Sequence, residues 1–111
     1  VPHRNLAVLD AAQRAVDGIN RLIDRAPQRL LHVGQMRDSS QSIVANISEG
    51  FGRGAGRDRA RPLEIARGEA EETIQHLGAN FRSNRVEPRD YWPLHHLLVA
   101  IVKMLDSLLN N

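Results

Sequence analysis

Leu94-His-His-Leu-Leu-Val-Ala-Ile-Val-Lys-Met-Leu-Asp-Ser-Leu108 is the stretch that decides the fold class. Leu94, Leu98, Ile101, Leu105 and Leu108 step by four and three residues, which lines one face of an α-helix and contradicts the two-residue alternation of a strand. The segment extends from about Pro88 to Asn110, with Pro88 and Pro93 near its start, where missing amide donors are tolerated. It carries more apolar residues than one stripe needs, because Leu97, Val99, Val102, Met104 and Leu109 lie elsewhere around the helix. A helix that is apolar nearly all round is buried on more than one side. In a small bundle that second face stays wet, so we expect a homo-oligomer with Leu97, Val102, Met104 and Leu109 as candidate interface residues.

The same rhythm recurs upstream. In a first segment, from about Leu6 to Ala26, the residues Leu9, Ala12, Val16, Ile19, Ile23 and Ala26 share a face, Asn5 is the expected N-cap and Pro27 ends the pattern. A second, from about Gln28 to Phe51, places Val33, Met36, Ser40, Ile43, Ile47 and Gly50 on its stripe. The glycine-rich run Gly50 to Gly56 ends it. A third, from about Asp58 to Ser83, uses Leu63, Ala66, Ala70, Thr73 and Leu77, flanked by Ile74 and Phe81, with Pro62 confined to its first turn. Gly68 and Gly78 suggest close approach of a neighbouring helix. The connections are short, so the expected architecture is all-α, an up-down-up-down antiparallel four-helix bundle forming one domain over residues 1–111.

Composition suits a globular domain: 111 residues, 41% apolar, 25% charged and five prolines. The absence of cysteine excludes disulfides, thiolate zinc sites and a cysteine nucleophile from this chain. The longest uninterrupted apolar run, Leu97 to Val102, is far shorter than the ~20 residues a membrane span needs. No signal-peptide pattern opens the chain at Val1, and the expected setting is cytoplasmic, without a membrane partner. Net charge is +2, and fourteen of the fifteen basic residues are Arg, Lys103 being the exception. Arginine suits bidentate phosphate recognition, but a high-GC genome would also favour it.

The search for chemistry leaves little. His95 and His96 are adjacent and point about 100° apart on a helix. Glu72 and His76 are spaced by four and have no second copy, unlike a paired Glu-x-x-His di-iron set. Ser39, Ser40, Ser42 and Ser48 lie in no nucleophile elbow and fit helix packing, with hydroxyls returning to helix carbonyls. Gly50-Phe-Gly-Arg-Gly-Ala55 matches the letters of a dinucleotide fingerprint but follows a helix where that motif follows a strand. Asn46 and Glu49 fit either a structural hydrogen-bond network, including Glu49 with Arg53 at i+4, or a catalytic role, for which one carboxylate and one amide make no evident acid–base pair. No catalytic, cofactor-binding or metal-ligating set is expected, and the chain reads as a non-enzyme.

Charge concentrates in two places. Arg53, Arg57, Arg59 and Arg61 crowd the second connection with Asp58 as the nearest opposing charge, and Arg82, Arg85 and Arg89 form a looser cluster at the third. An up-down bundle puts these clusters at opposite ends. Both are candidate nucleic-acid contacts through phosphate, and both are also compatible with solvated turns.

The second segment meets a known family. Gln35-Met-Arg-Asp-Ser-Ser-Gln-Ser-Ile-Val-Ala-Asn-Ile-Ser-Glu-Gly-Phe-Gly-Arg53 resembles the signature of the four-helix-bundle proteins related to the 23S rRNA intervening-sequence protein. Its core is Ser42-Ile43, Asn46-Ile47, Glu49-Gly50 and Arg53, with Ser42, Asn46, Glu49 and Gly50 as motif residues of structural type. Leu6 to Val8, Leu63 to Gly68, Glu71 to Thr73 and Met104-Leu105 are similar too. The resemblance implies an up-down bundle, a pentameric ring and a link to RNA. It extends in fold to the accessory variability determinants of diversity-generating retroelements, which implies a reverse transcriptase as a candidate protein partner and RNA or DNA as a candidate ligand. The chain departs from the family in having Val44 for a frequent proline, a more glycine-rich second connection, Pro62, Glu69, and Arg in place of Lys. The alternative expectation is an oligomeric protein–protein scaffold that binds no nucleic acid.

Overall fold

A computed structural model describes residues 3–54 and 56–110; Val1 and Ala55 lie outside them. Four α-helices follow one another: α1 (His3–Arg25), α2 (Val33–Gly52), α3 (Ala60–Arg82) and α4 (Pro88–Leu109), with a single 3-10 turn, Arg57–Arg59, before α3. Each helix packs on its chain neighbours, α1 also packs on α4, and the diagonal pairs do not meet among the described residues. That is a square, up-down-up-down bundle, 43 Å long and 21 by 18 Å across. Its antiparallel sense is written in pairs such as Arg4 with Ser107 at 2.5 Å and Arg25 with Asp90 at 3.1 Å, which join opposite ends of α1 and α4.

The stripes read from periodicity supply most of the core, but Leu9, Ala26, Val33 and Leu94 are only half-buried, and α1 instead adds Val8, Ala11, Ala15 and Leu22. Ile19, Ile23, Met36, Ile43, Ile47, Leu63, Leu77, Leu98, Ile101 and Leu105 are fully buried. Truncating one of the larger of them to Ala would cost about 2–5 kcal/mol. Ser39 and Thr73 bond to each other across α2 and α3 at 2.7 Å, and Ser40 returns to the Arg37 carbonyl at 3.2 Å, so these hydroxyls are satisfied inside the packing.

Several local expectations change. α1 already includes Asn5, so that residue is helical and does not cap. α2 starts five residues later than expected, at Val33, because Ala26 to His32 run as a separate connection. Asn80 explains this: fully buried on α3, it accepts the Leu31 amide at 2.7 Å and donates to the Leu31 carbonyl at 3.0 Å and to the His76 carbonyl at 2.9 Å. His32 then turns the chain into α2 with a left-handed φ of 57°, its ring Nδ1 3.0 Å from that of His76. Gly68 and Gly78 do not admit a neighbouring helix. A Cβ on Gly68 would meet open space, and one on Gly78 would meet Arg82 of its own helix. The close approaches are at Gly18, against the Leu94 side chain, and at Gly50, against Leu63.

α4 is apolar well beyond its Leu97 to Val102 run. By length and composition the whole helix could cross a membrane. Here its Leu98, Ile101, Leu105 and Leu108 are buried in the bundle core.

Candidate nucleic-acid interface

Gly50 sets the geometry of the connection between α2 and α3. Without a side chain it lets Leu63 reach within 2.9 Å of where its Cβ would stand, with the Arg59 carbonyl at 3.4 Å. Past α2 the chain reverses through Gly54 at φ 79° and Gly56 at φ 106°, backbone that side-chain-bearing residues rarely adopt. The 3-10 turn follows, and α3 begins at Ala60 with Pro62 buried as its third residue, where its missing N–H is harmless.

Three arginines are thereby fixed around the N-terminus of α3. Arg57 and Arg61 are exposed and Arg59 is half-buried. None of them pairs with a carboxylate among the described residues. The α3 N-terminus has no side-chain cap and no acidic residue in its first turn. The helix dipole makes such a terminus positive, so these cations add to its potential instead of offsetting it. Arg53 differs, since its guanidinium is bound to Glu49 at 2.6 Å. Ser42, Asn46, Glu49 and Arg53 form one polar stripe on α2 leading to this turn, with Asn46 donating to the Ser42 carbonyl at 2.9 Å and to its hydroxyl at 3.0 Å. These polar groups are satisfied within the helix.

The cluster at the other end is divided. Arg85 donates to the Arg29 carbonyl at 2.9 Å, and Arg29 answers with bonds to the Asn84 and Arg85 carbonyls at 2.8 and 3.1 Å. This interlock ties the α1–α2 and α3–α4 connections together. Arg82 folds back over Gly78, and Arg89 faces a groove beside α1. Trp92, not singled out from the sequence, is 45% exposed one turn beyond Arg89, in contact with His96 and edge-on to Phe81. The candidate interface residues Leu97, Val102, Met104 and Leu109 are half-buried against the core. Glu72 and His76 sit 3.9 Å apart, and no group of three or more potential ligands assembles among the described residues.

The model of the family described as 23S rRNA-intervening sequence protein matches residues 4–107. The chain belongs to this family. A solved member of the S23 ribosomal protein family from Bacteroides thetaiotaomicron VPI-5482, described as a protein with unknown function, superimposes with a TM-score of 0.85 at 26% identity. That match covers 97% of this chain and 99% of the other. No curated protein matches. For this 23S rRNA-intervening sequence family member, neither likeness indicates an enzymatic family, and the described helices and their order agree with the resemblance carried by Ser42 to Arg53.

Proposed function

We propose that this protein is a non-enzymatic, ring-forming helical-bundle protein that binds RNA or DNA as an accessory factor, chiefly through the turn between α2 and α3. The observation that carries this reading is the placement of Arg57, Arg59 and Arg61, without carboxylate partners among the described residues, around an uncapped helix N-terminus. A phosphate bound there would meet guanidinium forks and a favourable dipole together. Arg53, Arg82 and Arg85 each have a protein neighbour and make secondary contributions. Trp92 near Arg89 supplies a face on which an unpaired base can stack. The ring is supported by apolar side chains left at the surface, Leu6 at 66% and Ile65 at 40% exposure. The same residues favour the alternative, an oligomeric protein–protein scaffold.

Binding of a fluorescent single-stranded RNA, titrated at several salt concentrations, tests the proposal. Affinity should fall steeply with salt. Arg57→Glu combined with Arg59→Glu should weaken binding to every sequence and lower the salt slope by about 0.7 for each phosphate no longer neutralised. Unchanged binding in that double variant, with unchanged thermal melting, would remove the turn from the reading and leave the scaffold.

A further inference from the structure

α1 and α4 enclose a groove of about 470 Å³ at some distance from the α2–α3 turn. Its rim is basic. Arg14, Arg21 and Arg25 follow one edge of α1 at steps of seven and four residues, and Arg89 enters from α4. Its floor is apolar, made by Gly18, Leu22, Leu94 and Leu97, with the bare backbone of Gly18 in contact with the Leu94 side chain.

The charges around it are unevenly satisfied. Asp90 is held by Arg25 at 3.1 Å, and Asp17 accepts from Gln13 at 3.2 Å. Arg14 reaches only Asp10, at 3.9 Å, in a pair so exposed that it contributes little. Arg21 and Arg89 have no carboxylate partner among the described residues.

We propose that this groove docks an acidic amphipathic helix of a partner protein. Apolar side chains at helical spacing would lie on Pro93 and Leu94 beside Gly18, and flanking Asp or Glu would pair with Arg21 and Arg89. A nucleic-acid strand fits it less well. The floor offers no aromatic face for a base, and a phosphodiester brings no apolar surface to it, while Asp17 and Asp90 also line the groove. An acidic helix brings apolar surface for the floor and localised carboxylates that can be set against the arginines and away from those two groups. This inference is independent of the α2–α3 turn and stands or falls separately from it.

The test is selection from a displayed library of randomised helical peptides of about 15 residues, long enough to hold a helix, on the full chain. Recovered peptides should be rich in Asp and Glu with Leu, Phe or Met at helical spacing. Their affinity should drop roughly tenfold or more in Arg21→Glu combined with Arg89→Glu, equivalent to about 1.4 kcal/mol per decade, with unaltered thermal melting. Should that variant fold poorly, Arg21→Gln with Arg89→Gln makes the same comparison. Peptides that lack acidic residues, or that ignore both variants, overturn the proposal. So does displacement of the selected peptides by oligouridylate, which would give the groove to nucleic acid. Amide signals of Gly18 and Arg21 that change with protein concentration alone would give it to a second copy of this chain, and would overturn the proposal equally.

Discussion

Asn80 is the residue on which the lower part of the bundle turns. Its carboxamide satisfies both backbone groups of Leu31 and ties the α1–α2 connection to α3, at a position with no solvent exposure. Replacing it by Ala leaves the Leu31 amide and carbonyl without these partners, at a cost of about 1–3 kcal/mol for a buried group left unsatisfied. Urea unfolding of Asn80→Ala should register that loss, and hydrogen exchange should accelerate at the Leu31 amide more than at core amides of α4. Uniform acceleration throughout would mean that Asn80 is simply a packing residue. The Arg29–Arg85 interlock acts beside it by similar means, since each guanidinium reaches a carbonyl on the other connection. It also accounts for the divided behaviour of the second arginine cluster. Arg85 is spent on the Arg29 carbonyl, with its Nε buried and unpartnered, and offers less of its charge to a ligand than Arg57 does.

At the scale of helices, glycines of identical composition have opposite uses. Gly50 lies under Leu63, which is fully buried and has nowhere to move. Gly50→Ala should therefore destabilise the protein by about 1–3 kcal/mol, the usual effect of overpacking, and should disturb the turn that holds Arg57 and Arg59. Gly68 is exposed, with open space where a Cβ would stand. Gly68→Ala should stabilise α3 by up to about 1 kcal/mol through helix propensity alone. Thermal melts of the two variants, run in parallel, should move in opposite directions; a shared direction would mean that the packing at Gly50 is looser than its contacts indicate. α2 differs from the other helices in carrying Ser39, Ser40, Ser42, Asn46 and Ser48. Ser39 and Ser40 are buried and bonded, and Ser42 and Asn46 satisfy each other on the flank. The family signature thus reads locally as helix–helix spacing at Gly50 plus a self-satisfied polar edge.

For the whole molecule, the bundle has a narrow core and exposes Leu6, Ile65 and Trp92. If the protein forms the proposed ring, association stabilises the folded state by mass action, and the melting temperature should rise with protein concentration. Light scattering after size exclusion should then report a closed oligomer, pentameric by resemblance. A monomer whose melting temperature does not vary with concentration would overturn the ring and with it the assignment of α4 surface residues to an interface. Mutating Arg57 should leave that oligomer intact, because its side chain is exposed and makes no ion pair among the described residues.

The helical class, the four segments and most of the fully buried side chains, though not Val8, Ala15, Ser39 or Asn80, were determined by the sequence itself, because a stripe such as Leu98, Ile101, Leu105 and Leu108 encodes burial through spacing alone. The family was likewise legible in Ser42 to Arg53, a local run that keeps its meaning without coordinates. Tertiary structure decided what depends on partners distant in the chain. It placed Leu31 on Asn80 and delayed α2, and it separated Arg82, Arg85 and Arg89 into different environments. It also moved the close helix approaches from Gly68 and Gly78 to Gly18 and Gly50, and it gathered Arg14, Arg21, Arg25 and Arg89 around one groove. The physical reason is common to these cases. Periodicity reports which face of a helix avoids water, whereas a hydrogen-bond partner, a steric neighbour or an unpaired charge is a property of two segments at once.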